Sequence, residues 1–264
     1  MENKILVLFI IFLIIIFIVK WNVKKNKIIF MTAEETRSFF IKDEDHYIEF
    51  LSDYDIISLK SKSKADYLEN SLLDALDFDD QQKARLTEAC EEADKFLKTI
   101  YIPHINTKKM AEMDWKLSLT TGETYEDGYP HTRMDIIFIT PKVINMRYRN
   151  LVRTMIHEKV HVYERLYPYD MERWLKHSGF KRYKRFKDYE LRRSNPDLDG
   201  WVYLDPEGNE TLAVFRNQNP TGIDDANYPG GKNYMMEHPN ETLAYYIDFK
   251  YADEKFPYQL EYLK

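Results

Sequence analysis

The stretch Asn150-Leu-Val-Arg-Thr-Met-Ile-His-Glu-Lys-Val-His-Val-Tyr-Glu-Arg-Leu166 decides how this chain is read. Its apolar residues Leu151, Val152, Met155, Ile156, Val160 and Val162 recur at the spacing of a helix with one buried side. His157 and His161 are four residues apart, so on a helix they lie on one face, a turn apart, and both imidazoles can reach a single ion. Glu158 sits about 100° round the helix from His157, where it can address a water bound to that ion. Zinc suits such a set because it accepts imidazole and carboxylate and keeps one position open for water. Two histidines and a glutamate on a solvated face would need no ion, but the apolar flanks bury this helix. Buried polar groups need partners.

A catalytic zinc site asks for one more protein ligand. The pentad Asn-Glu-Thr-Leu-Ala occurs twice, at 209–213 and at 240–244. The first copy belongs to Trp201-Val-Tyr-Leu-Asp-Pro-Glu-Gly-Asn-Glu-Thr-Leu-Ala-Val-Phe215, where β-prone runs flank turn residues, a hairpin pattern that leaves Glu210 solvated. The second follows Glu237-His238-Pro239, with proline and asparagine at a helix start and apolar residues at helical spacing beyond. A ligand needs a rigid platform, which favours Glu241 over Glu210.

An H-E-x-x-H helix followed much later by a helical Asn-Glu-x-x-Ala resembles the gluzincin branch of the zincin metallopeptidases. The resemblance covers two segments of the C-terminal half. It implies that His157, His161 and Glu241 hold Zn2+, that Glu158 is the general base, and that the substrate is a peptide or protein. The chain departs from the family pattern four residues after the ligand glutamate, where an aspartate would orient the first histidine and Tyr245 stands here. Asp248, Asp197 and Asp199 are the alternatives for that task. Zincins also place a sheet ahead of the H-E-x-x-H helix, with an edge strand that receives extended substrate. The alternation in Trp115-Lys-Leu-Ser-Leu-Thr120 and the run Met134-Asp-Ile-Ile-Phe-Ile-Thr140 fit that order as strands, with turn material at 126–130 between them.

Length and composition suit one or two ordinary globular domains: 264 residues, 31% charged, net charge −6. That balance excludes general nucleic-acid binding. The run Lys181-Arg-Tyr-Lys-Arg-Phe-Lys187, with Arg192 and Arg193, is a local basic exception, read as a solvated helix face or a contact for anionic lipid or an acidic partner. Cys90 is the single cysteine and rules out an intrachain disulfide. Ile5 to Val19 is an unbroken apolar run bracketed by Lys4 and Lys20, without the small-residue exit of a cleaved signal peptide. Residues 1–27 are therefore expected to form a single transmembrane anchor with its basic flank. Lys20, Lys24, Lys25 and Lys27 would put the body of a single-pass protein on the cytosolic side.

The expected class is thus α+β: the anchor, a helical subdomain over 28–110, and a zincin-like part over 111–264. A capping box at Thr32–Glu35 starts the first helix of the body, 45–59 and 64–76 follow as helices, and 79–101 has the clearest helical spacing. His131, His238 and Tyr245 are candidates to stabilise a transition state; each also has an ordinary reading as a turn, capping or core residue. The reading is a zinc metallopeptidase. The alternative is a non-catalytic, membrane-tethered interaction protein whose zinc is structural and closed by a fourth ligand.

Overall fold

The computed structural model describes residues 27–228 and 233–258. Strand β1 (Ile28–Phe30) leads to helix α1 (Ala33–Lys42). The Thr32 hydroxyl caps α1 by accepting from the Glu35 N–H while the Glu35 carboxylate accepts from the Thr32 N–H. The stretch expected as one helix over 45–59 is two, α2 (Tyr47–Phe50) and α3 (Asp53–Ser58). A second capping box, Ser52 with Asp55, restarts the chain between them. Helix α4 (Lys64–Asp74) runs straight into strand β2 (Ala75–Leu76), and α5 (Asp80–Leu97) and α6 (Thr107–Ala111) precede β3 (Trp115–Thr120).

A tight hairpin follows, β4 (His131–Arg133) and β5 (Ile136–Ile139), turning at Met134, whose φ is 52°. Helices α7 (Pro141–Ile144), α8 (Tyr148–Leu166) and α9 (Pro168–Ser178) come next. Helix α8 stops because Pro168 disfavours helical backbone at Tyr167, then starts α9 as its first residue. The rest is short strands, β6 (Lys181–Arg185), β7 (Trp201–Leu204), β8 (Glu210–Thr211), β9 (Val214–Phe215) and β10 (Ala226–Asn227), closed by helix α10 (Pro239–Ala252). The basic run expected as a helix face is instead the exposed strand β6, held extended by antiparallel pairing with β7.

The main sheet has the order β1-β3-β5-β4. Strands β1, β3 and β5 are parallel, β4 pairs antiparallel at the edge, and β2 pairs with the far end of β3. Alternation along the central strands sends side chains to two cores. Trp115, Leu117, Leu119, Ile137 and Ile139 join Leu86, Cys90, Ile156, Val160 and Leu243 of α5, α8 and α10. Phe138 and Ile136 face the other way, onto Phe40, Ile56 and Tyr67 of α1, α3 and α4. Residues 28–110 therefore contribute two strands and a covering layer on each face of the same sheet, not helices alone.

One buried ion pair fixes α8 against this sheet. Lys159 Nζ lies 2.5 Å from Asp94 Oδ1 of α5 and 4.0 Å from the Trp115 ring, and the Trp115 indole donates to Asp94 Oδ2 at 3.1 Å. Removing one partner of such a buried pair costs about 3–5 kcal/mol.

The α+β class holds, but the expected transmembrane helix is corrected. No helix among the described residues is long and apolar enough to cross a membrane, so single-pass membrane placement with a cytosolic body is unsupported. The apolar run at 5–19 on which that expectation rested lies outside the described residues.

Candidate metal centre

The apolar side of α8 packs inward and turns its polar edge toward α10, which lies along it. That packing brings His157, His161 and Glu241 together. His157 Nε2 is 3.1 Å from His161 Nε2 and 3.3 Å from Glu241 Oε2, and His161 Nε2 is 3.8 Å from the same oxygen. A tetrahedral ion with bonds of about 2.0–2.1 Å separates its ligand atoms by about 3.3 Å, so the triangle has the size of one face of such a polyhedron. All three groups are largely shielded, with side-chain exposures of 11%, 0% and 8%.

Carboxylates stand beside the outward atoms of both histidines. His161 Nδ1 lies 2.9 Å from Glu164 Oε2, and His157 Nδ1 lies 3.3 Å from Asp248 Oδ2, an ion-pair distance. Asp248 is in turn held by Arg153 at 2.9 Å. Carboxylates at both Nδ1 atoms favour the tautomer that carries hydrogen there and leaves the Nε2 lone pairs facing inward. Asn195 Nδ2 donates to Glu241 Oε1 at 2.9 Å and turns Oε2 toward the histidines. Three lone pairs then converge on one point, an arrangement that repels itself unless a cation or proton sits there. Burial pushes the Glu241 carboxyl up, but His161 and His157 more than offset it and hold it at about 2. Burial opposes charge on His157 too, yet Asp248 and Glu241 raise it well above the usual histidine range. The chemistry of the donor set fits a dication bound through imidazole and carboxylate.

Glu158 is 2% exposed and lines the cleft that His157 and Glu241 also line, about 540 Å³ in volume. Burial, with Asp197 nearby, pushes its carboxyl up to about 8. Thr132 Oγ1 of β4 donates to its Oε2 at 2.9 Å and fixes its orientation. Tyr245 packs its ring 4.4 Å from the His157 ring and lines the same cleft; burial first, then Glu241, raise its hydroxyl well above the usual range, so it stays a donor.

The other candidates fall elsewhere. Glu210 sits in the β7–β8 hairpin opposite Leu204, 3.9 Å from Lys184. His238 caps α10, its Nδ1 accepting from the Asn240 N–H at 3.1 Å, and its Nε2 faces Asp199 at 3.1 Å. Asp199 thus serves His238 and the Tyr203 hydroxyl, not His157. His131 lines the cleft, with Nδ1 at 2.9 Å from the Tyr129 carbonyl and its ring stacked on Phe138; burial lowers it to about 4 and keeps it neutral.

Asp197 is placed where the resemblance leads one to expect substrate. Strand β4 is the edge, and its outward-facing backbone pair is at Thr132. The Thr132 N–H donates to Asp197 Oδ1 at 2.9 Å, and its carbonyl accepts from Arg165 at 2.8 Å. The loop holding Asp197 is pinned by Ser194 to buried Asp55 and by Asn195 to Glu241. The chain's own side chains thus cover the expected docking edge. Sequence alone does not point to Glu164, Thr132 or Asn195. Only Glu164 carried a signal, its position one turn after His161 on the same helix.

No protein-family model matches this chain, and no curated protein or solved structure matches it.

Proposed function

We propose that this chain is a zinc-dependent metallopeptidase. The observation that carries the reading is the convergence of His157 Nε2, His161 Nε2 and Glu241 Oε2, each backed on its outer side, beside a buried glutamate in one cleft. Bound zinc would supply Lewis acidity and a water of lowered pKa.

The chain's residues supply the rest. Glu158, held by Thr132 through one oxygen and kept ionised by the charge of a bound dication, would accept a proton from the attacking water and return it to the leaving amine. Tyr245 keeps its proton and donates toward the oxyanion that forms on the peptide carbonyl. Asp248 and Glu164 hold the two imidazoles in orientation, and Asn195 does the same for Glu241. The group has three protein donors among the described residues and faces a cleft, which favours catalysis over a closed structural site.

The test is hydrolysis of a peptide library by zinc-loaded protein, with Glu158→Gln alongside. The variant should keep one equivalent of zinc and lose turnover. Full hydrolysis by Glu158→Gln would remove Glu158 as base. No hydrolysis by the zinc-loaded wild-type chain would remove the peptidase reading.

A further inference from the structure

Part of the basic run lines a second concavity, about 530 Å³, on the far side of the loop that carries Asn195 and Pro196. Arg185, Lys187 and Arg192 line it, around Phe50, Phe186 and Leu198. Phe50 is 61% exposed there, a large apolar surface left open to water. The chain carries net charge −6, and some of its surface cations find carboxylates, as Lys60 finds Asp127 and Lys176 finds Glu172. Among the described residues none of Arg185, Lys187 and Arg192 is ion-paired. Arg185 lies over the Trp201 ring at 3.7 Å, and Arg192 lies over the Phe186 ring at 6.0 Å and makes long bonds to the carbonyls of Phe50 and Tyr189, at 3.3 and 3.4 Å. The two carboxylates at the groove are already engaged, Asp45 by Arg133 and Asp199 by His238 and Tyr203.

We infer that this groove is a docking site for an acidic stretch of the peptide substrate, one bearing an apolar side chain among its carboxylates. The inference rests on the metallopeptidase reading for the word substrate; the binding itself does not. Charge complementarity selects the occupant: three unneutralised cations surround an apolar floor, in a protein otherwise rich in acid. Continuity selects the role. Asn195 and Pro196 line both this groove and the cleft of His157 and Glu241, so a chain crossing that wall reaches both. The covered edge at Thr132 sharpens the point. With its N–H and carbonyl taken by Asp197 and Arg165, backbone pairing there gives a substrate nothing, and selection falls to side-chain sites on either side of the wall. A membrane surface fits less well, because the cations ring a concavity that a flat bilayer cannot fill.

The probe is a fluorescein-labelled peptide of four glutamates flanking a phenylalanine, measured by anisotropy on the full chain bearing Glu158→Gln, which binds without turnover. Its glutamine analogue should bind about tenfold or more weakly, and the difference should shrink with added salt. Replacing Arg185, Lys187 and Arg192 together by Gln should weaken the acidic peptide by about tenfold. In the otherwise wild-type enzyme it should cut the ratio of kcat/KM for an acidic over a neutral substrate by a similar factor. Lys187→Gln alone, at an exposed side chain without packing duties, should show part of the loss with an unchanged melting curve. Equal binding of acidic and glutamine peptides overturns the proposal. So does a triple variant that binds as tightly as its parent, or binding confined to phosphatidylserine vesicles. Because the binding arm needs no catalysis, a chain that binds the acidic peptide but cleaves nothing would sink the peptidase reading and leave the groove standing.

Discussion

The same five residues, Asn-Glu-Thr-Leu-Ala, do two different things in this molecule. At 209–213 they close a hairpin. Asn209 donates to the Asp205 carboxylate that organises the turn, Glu210 points toward Lys184, and the Thr211 hydroxyl bonds the Tyr203 backbone. At 240–244 they form the first turn of α10. Asn240 donates to the Asp197 carbonyl, Glu241 turns to the two imidazoles, and the Thr242 hydroxyl bonds back to the His238 carbonyl. Intrinsic propensity is identical in the two copies, so the difference comes from their neighbours. Asp205-Pro-Glu-Gly208, with φ 90° at Gly208, reverses the first copy, whereas His238 caps and Pro239 initiates the second. A carboxylate becomes a candidate ligand through the platform it stands on, not through its local sequence.

The comparison can be tested by changes on each side of it. The largest effect is expected where the α10 pentad meets the chemistry: Glu158→Gln should lower kcat by about 10²–10⁴-fold while zinc content stays at one equivalent. Tyr245→Phe, one turn beyond Glu241, should lower kcat by about a hundredfold with KM little changed, read by steady-state kinetics.

A buried carboxylate without imidazoles for company shows what those imidazoles do. Glu126 lies on the other side of the cleft. Burial pushes it from its ordinary 4.5 up to about 7, even though the Tyr67 hydroxyl donates to it at 2.6 Å. The folded protein therefore holds that proton more tightly than the unfolded chain between pH 4.5 and 7. The stability it contributes is fully present below the unfolded pKa and is lost as pH rises through the folded one. Glu126→Gln should gain stability relative to wild type on going from pH 4.5 to 8, by on the order of 3 kcal/mol in urea melts. A constant difference across that range would remove the assigned shift.

Smaller still, Asp248→Asn should weaken zinc about 10–100-fold by loosening His157, measured by competition with a chelator. On the hairpin side, Gly208→Ala should cost about 1 kcal/mol, because φ there is left-handed, and should leave zinc affinity alone. A loss of zinc from the hairpin variant would erase the distinction between the two copies.

How much of this was legible beforehand follows the range of each interaction. The spacing of Leu151, Met155, Ile156 and Val160 marked α8, and Asp205-Pro-Glu-Gly208 marked the hairpin, since both signals are local. Thr32 and Glu35 marked the start of α1 for the same reason. Strand β4 was missed because three residues, one of them Arg133, hold too little alternation to register; tertiary pairing with Asp43 and Asp45 buries that arginine. The break between α2 and α3 carried a signal, Ser52 with Asp55, that the apolar pattern around it concealed. Asn195 and Asp197 reach the site only through contacts 46 and 65 residues away in the chain, and no local pattern encodes those. The transmembrane expectation drew on the first 27 residues alone and had no bearing on how the body packs.

The most direct test is zinc stoichiometry by inductively coupled plasma mass spectrometry on three purified proteins: wild type, Glu210→Ala and Glu241→Ala. The account predicts one equivalent in the wild type and in Glu210→Ala, and none retained in Glu241→Ala. A wild-type protein that takes up no zinc, or a Glu210→Ala variant that loses it while Glu241→Ala keeps it, would contradict the assignment of His157, His161 and Glu241 as a metal centre.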